Sequence, residues 1–124
     1  MRAPFIVFEG IDGSGKSTAS KYLKDALMSK GIQVALTCEP TKFDIGQLIR
    51  KCISGTEHDA KQLLFMFMAD RCYHNVQINA SLNAGWVVLC DRYSLSSRIY
   101  QDGVVEDQLL EKLCTDSKFN IKAD

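Results

Sequence analysis

The chain has 124 residues, 15 basic and 15 acidic, with 46% apolar side chains and zero formal net charge. At about 150 residues per domain this bounds the fold to one domain, and a chain of this size buries roughly two-thirds of its surface without staples. Nine Lys/Arg stand against seven Asp/Glu in residues 1–62 and six against eight in 63–124. That balance excludes a coat for a nucleic acid polymer or an anionic membrane.

Five cysteines (Cys38, Cys52, Cys72, Cys90 and Cys114) lie fourteen or more residues apart. The count is odd and the spacing is neither that of a zinc site nor of a redox pair, which points to reduced, mostly buried thiols in a cytoplasmic protein. The apolar run near the start is too short for a signal peptide, and Glu9 interrupts it. No stretch approaches the roughly 18 apolar residues of a membrane span.

Phe5–Phe8 is apolar without alternation, as in a parallel strand covered on both faces. It breaks at Gly10–Gly15, and a helical pattern through Tyr22, Leu23, Ala26 and Leu27 ends at Gly31. Ile32–Leu36 reads as a second strand. Ile45, Leu48, Ile49 and Cys52 share one face of a short helix stopping at Gly55. Thr56 and Asp59 have the spacing of a capping box before a longer helix through Leu63–His74. Trp86–Cys90 is a third buried strand, and Val105–Cys114 a last amphipathic helix. Strands alternating with helices predict an α/β fold with a parallel sheet. Ligands in such sheets bind beyond the carboxyl ends of the strands, here after Phe8, Leu36 and Cys90.

The first of these places carries the strongest signal. Gly10-Ile11-Asp12-Gly13-Ser14-Gly15-Lys16-Ser17 fits G-x-x-x-x-G-K-[ST] at every specified position. Glycines let the backbone curl so that N–H groups face phosphate oxygens, and the following helix adds its positive end. Lys16 can reach the β- and γ-phosphates of ATP, and the Ser17 hydroxyl can ligate Mg²⁺. Asp91-Arg92-Tyr93 ends the third strand, where a carboxylate either holds the Mg²⁺ shell or caps the next helix. Arg92 offers a fork suited to phosphate oxygens.

Four blocks in order then resemble the thymidylate kinase family: Phe5–Thr18, Thr37-Cys38-Glu39-Pro40-Thr41, Leu63–Arg71 and Asp91–Gln101. The resemblance implies a three-layer P-loop kinase fold and ATP- and Mg²⁺-dependent phosphorylation of dTMP to dTDP. It assigns the phosphates of ATP to Gly10, Gly13, Ser14, Gly15, Lys16, Ser17 and Thr18, and the metal to Ser17 and Asp91. Catalytic roles fall to Lys16, Arg92 and Asp12, the last also bonding the sugar 3′-hydroxyl. The dTMP pocket it implies comprises Asp12, Glu39, Arg50, Phe67, Arg71, Arg92, Ser97, Tyr100 and Gln101. Phe67 would stack on thymine and Arg71, one turn on, would donate to its carbonyl edge. Ser97 and Tyr100 would contact the base and crowd the sugar 2′ carbon, and Arg50 would aim at the 5′-phosphate. Read from the residues alone, Leu63–Ala69 is a core helix and Arg50 a solvated charge. His58 and His74 match no required role and read as surface or partly buried residues.

The pattern departs from the family at three places. Cys38 stands where an arginine is usual, Gly13 follows the loop acid where some members carry arginine, and the lid that supplies the remaining basic residue is absent. The resemblance therefore implies a single kinase domain over 1–124, incomplete at its C-terminus, with three of five strands in the order 2-3-1. On that reading β-strand Phe5–Phe8 is an open edge, and the chain binds dTMP better than ATP and turns over slowly or not at all. Two other readings remain: a deoxynucleoside kinase, and a nucleotide-binding module without catalysis. The partners are small molecules, with a homodimer through the apolar 63–69 helix as a further expectation.

Overall fold

The structure is a computed structural model describing residues 2–55, 59–94, 96–97 and 101–124. Strands β1 (Phe5–Phe8), β2 (Val34–Cys38) and β3 (Val87–Asp91) form one parallel sheet in the order β1-β3-β2. This is the expected order, with β3 central and β1 at an edge. The central strand buries Val87 through Cys90, which is why its sequence is continuously apolar.

Among the described residues four helices flank the sheet: α1 (Lys16–Met28), α2 (Asp44–Ser54), α3 (Ala60–Asn83) and α4 (Asp107–Thr115). The pleat sorts the sheet's side chains into two cores. Phe5, Val88 and Cys90 meet Ile78, Leu82 and Tyr93 on one face; Val34, Val87 and Leu89 meet Leu23 and Leu27 of α1 on the other. Helix, sheet and helix make the three layers. A third cluster joins α3 to α4 through Leu64, Met68, Leu110 and Cys114.

Several boundaries differ from those read in the sequence. β2 begins at Val34 rather than Ile32, because the chain leaves α1 through Gly31 at φ 79 and first meets β3 at Val34 opposite Val87. β3 is likewise displaced by one residue and ends on Asp91. α3 runs nine residues beyond His74, to Asn83. Its start is capped by Asp59, whose carboxylate accepts from Gln62 N at 2.9 Å, so Asp59 is the cap rather than the third helical residue. Thr56 and His58 lie outside the described residues. Beside the β1 edge, Asp124 N donates to Phe5 O at 2.8 Å and Phe5 N donates to Asp124 Oδ2 at 2.9 Å.

α2 is docked by a close approach. A Cβ on Gly46 would stand 1.9 Å from the Thr41 carbonyl oxygen, so only glycine lets the helix lie against this turn. Thr41 itself is pinned by Asp70 of α3, which accepts from Thr41 N at 2.8 Å and Thr41 Oγ1 at 2.6 Å.

Candidate active site

The loop between β1 and α1 turns on Gly13 and Gly15, at φ 78 and 89, where a side chain would be strained. Gly15 is the N-cap of α1. The N–H groups of the first α1 turn have no acceptor within the helix and, with the helix dipole, form an anion-binding end. Lys16 Nζ stands 3.8 Å from Asp91 Oδ1 at the end of β3. The expected cradle and the expected second acidic element are thus adjacent.

Asp91 Oδ1 is buried and has no hydrogen-bond partner among the described residues. Asp91 and Ser17 line one groove of about 460 Å³. No group of three His, Cys, Asp or Glu suited to a metal occurs among the described residues. One carboxylate and one hydroxyl fit Mg²⁺, which keeps most of its waters and takes further oxygens from substrate phosphates. They would not suffice for a cage-bound ion.

Next to this lies a cavity of about 370 Å³ lined by Asp12, Glu39, Phe67, Arg71, Arg92, Ser97 and Gln101, with Pro40, Ile53, Leu63, Tyr93 and Ser96. Seven of the nine residues that the sequence resemblance assigns to dTMP therefore meet in one space. Phe67 and Arg71 reach it from consecutive turns of α3. Gln101 is buried there, its Oε1 without a hydrogen-bond partner among the described residues. Tyr100 lies outside the described residues. Arg50 stands behind the wall: its Nη2 donates to the Pro40 carbonyl and lies 3.7 Å from Cys38 Sγ.

Arg92 spans the cavity mouth. Its Nη2 donates to Asp12 Oδ1 at 2.7 Å and its Nη1 to Ser96 Oγ at 3.3 Å. It has φ 68, the single left-handed non-glycine conformation among the described residues. Such strain persists only where neighbours over-determine it. Here Arg92 N donates to Phe8 O at 2.9 Å, and Glu9 accepts from Tyr93 N at 2.6 Å and from Ser96 Oγ. Glu9 was not singled out in the sequence; its place directly after β1 was the available signal.

The deepest part of the wall is ionic. Glu39, on the cis Glu39–Pro40 turn, accepts from Arg71 Nε at 2.9 Å and pairs with Arg71 Nη2 at 2.8 Å, while Nη2 also donates to Ser97 Oγ at 2.8 Å. The Arg71 guanidinium lies 4.9 Å from the Tyr93 ring centroid. His74 is fully buried against the other Glu39 oxygen, correcting its expected surface or partly buried position. Its i, i+3 spacing from Arg71 was the sequence clue.

Cys38 does not replace the charge of the usual arginine. Burial pushes its thiol up, against the opposing pull of Arg50 and Lys42, so the sulfur stays protonated. Cys90, buried in β3, is pushed further up by desolvation.

A parallel sheet with a phosphate loop after β1, an acid at the end of β3 and an adjoining polar-rimmed cavity defines a P-loop α/β protein. The family model described as thymidylate kinase matches residues 8–118. A probable thymidylate kinase of Methanococcus aeolicus is 50% identical over 97 residues, covering 78% of this chain and 46% of the relative. One from Pyrococcus horikoshii is 46% identical over 110 residues, covering 82% and 53%. The crystal structure of thymidylate kinase from Ehrlichia chaffeensis superposes with TM-score 0.81 at 32% identity, covering all of this chain and 72% of that one. The chain belongs to the thymidylate kinase family. It spans about half the length of the curated relatives it matches.

Proposed function

We propose that this chain carries the phosphate loop and acceptor pocket for ATP-dependent phosphorylation of dTMP to dTDP, as one P-loop kinase domain. The observation that carries the reading is the single cavity joining Asp12, Glu39, Phe67, Arg71, Arg92, Ser97 and Gln101. Those residues come from four separated stretches of sequence, around Asp12, Glu39, Phe67–Arg71 and Arg92–Gln101.

Thymine has one flat apolar face and a polar edge, and the cavity offers a counterpart to each. Phe67 supplies the stacking surface, worth about 1–3 kcal/mol for a base. Arg71 supplies donors for a ring carbonyl, and Gln101 an acceptor for the imide N–H. Asp12 receives the sugar hydroxyl, after releasing part of its contact with Arg92. Arg92 then turns its fork to the 5′-phosphate, with Arg50 beside the Pro40 wall as a second cation. Tyr100 completes the sugar side on the family pattern.

On the donor side, the loop N–H groups and Lys16 hold the ATP phosphates, with Gly10, Gly13, Ser14, Gly15 and Thr18 shaping the cradle. Ser17 and Asp91 would hold Mg²⁺, which when bound neutralises phosphate charge. The acceptor is an ionised phosphate, so no strong base is needed, and transfer depends on aiming and on charge balance. Arg92, between the two sides, is the group suited to follow the moving charge.

The named relatives are thymidylate kinases, which does not favour a deoxynucleoside kinase. Titration calorimetry with dTMP, thymidine and dCMP tests the acceptor. The expected result is binding in the order dTMP, then thymidine, with dCMP weakest, and dTMP tighter than ATP. Equal binding of dTMP and dCMP would remove the thymine reading. A coupled ADP-release assay tests transfer by the chain itself, expected to be slow or absent. Binding of dTMP with no dTDP formed assigns the chain a nucleotide-binding role. The apolar Leu63–Ala69 stretch is further proposed as a homodimer contact, checked by sedimentation.

A further inference from the structure

We propose that His74 is a positioning residue of this pocket, setting the Arg71 guanidinium through the Glu39 carboxylate. The ligand named in the test rests on the dTMP reading; the geometry does not. His74 does not line the cavity and reaches it only through Glu39.

Arg71 engages Glu39 unevenly. Both Nε and Nη2 lie on the one oxygen Oε1, at 2.9 and 2.8 Å, rather than one on each oxygen. A symmetric fork would fix the plane of the carboxylate; a fork on one oxygen leaves it free to turn. The second oxygen, Oε2, is held by His74 Nδ1 at 2.8 Å. The carboxylate only accepts, so Nδ1 carries the proton. The other ring nitrogen, Nε2, lies 2.7 Å from Thr37 Oγ1 on β2, and in the neutral ring it accepts the hydroxyl proton.

The result is a directed chain from the sheet to the pocket: Thr37, His74, Glu39, Arg71. Arg71, His74 and Glu39 are each buried, and His74 meets Glu39 on the side away from the cavity, so its loss leaves Oε2 without a built partner. Two further contacts act on Arg71, Ser97 Oγ at 2.8 Å from Nη2 and the Tyr93 ring 4.9 Å from the guanidinium, but neither holds the Glu39 carboxylate. The Arg71 Nη1 makes only long contacts, 3.5 Å to Asn120 Oδ1 and 4.0 Å to Met68 Sδ. Leaving Oε2 unpaired would let Glu39 rotate and take the guanidinium with it.

The test uses the full chain and the variants His74→Leu, His74→Asn and Thr37→Val. Calorimetry reads dTMP and ATP affinity separately, and nitrogen-15 spectra of the ligand-free proteins read solvent exchange at Arg71 Nε–H, assigned by its loss in Arg71→Lys. His74→Leu is expected to weaken dTMP about tenfold, the scale of one charge-assisted hydrogen bond, with ATP affinity unchanged. Its Arg71 Nε–H should exchange faster. His74→Asn, whose amide can donate to Glu39 from the Nδ1 position, should restore both. Unchanged Arg71 exchange in His74→Leu overturns the proposal, as does parallel loss of dTMP and ATP affinity that Asn fails to rescue. If the parent chain binds no dTMP, the substrate reading fails and Arg71 exchange alone decides the relay. If His74→Leu does not fold, Thr37→Val decides it: faster Arg71 exchange supports the chain, and parent-like exchange overturns it.

Discussion

Asp91 faces Lys16 across the gap between β3 and the phosphate loop, its Oδ1 3.8 Å from the ammonium. That separation is an ion pair without a hydrogen bond, so each group is held near its partner yet has capacity to spare. Lys16 is therefore poised to exchange its contact with Asp91 for phosphate oxygens. Substituting Lys16→Met is expected to weaken ATP binding about tenfold or more, the loss of a charge-assisted contact. The dTMP affinity should hardly move, because Lys16 lies outside the acceptor cavity. Parallel calorimetric titrations check the separation; equal losses for both ligands would contradict the two-sided site.

The acceptor side makes the converse prediction. Phe67 is half-buried on the cavity wall, one helical turn from Arg71. Phe67→Ala removes the stacking face, and at about 1–3 kcal/mol per stacked base the dTMP dissociation constant should rise roughly 5- to 150-fold. ATP affinity serves as the internal control. A change below about twofold would show that Phe67 packs the core instead.

The roles of these two residues were legible only through the family resemblance; spacing adds that i and i+4 share a helix face whatever the exact helix ends. The phosphate loop was legible without it, since its glycines and lysine are dictated by backbone curl and charge. The extent of α3 was not. Its buried face continues through Arg71, His74, Ile78 and Leu82, and the first two break the apolar period that announces a helix. They are buried because Glu39 and Thr37, more than thirty residues away, pair with them. Such compensation is a tertiary fact, and the local pattern shows only that Arg71 and His74, at i and i+3, share a helix face. Arg50 shows the reverse case, a residue whose placement behind Pro40 depends on how α2 docks.

That docking yields a stability prediction. Gly46→Ala puts a methyl 1.9 Å from a backbone oxygen that the Asp70–Thr41 clamp prevents from retreating. Alanine is otherwise the better helix former by about 1 kcal/mol, so propensity alone predicts stabilisation. Overpacking against fixed backbone costs about 1–3 kcal/mol or more and should win. Urea unfolding is expected to show a net loss of at least about 1 kcal/mol, and a raised midpoint would mean that α2 can shift freely.

Tyr93 gives an alkaline prediction. Burial is the largest cause holding its phenol well above the usual 10.0, with Ile121 N donating to the hydroxyl oxygen at 2.9 Å as a partial offset. The hydroxyl also donates to Asn75 Oδ1. A phenol whose folded pKa is raised binds its proton more tightly in the native state, so above pH 10.0 the unfolded chain holds fewer protons. Stability from this group is complete below that pH and falls as pH rises toward the folded value. Tyr93→Phe removes the ionisation, and with it the slope, at the cost of the two hydrogen bonds. The variant should be less stable than the parent at pH 8 by about 1–3 kcal/mol, with the difference shrinking above pH 10. Urea midpoints taken across that range check it, and a constant difference would mean that the phenol titrates alike in both states.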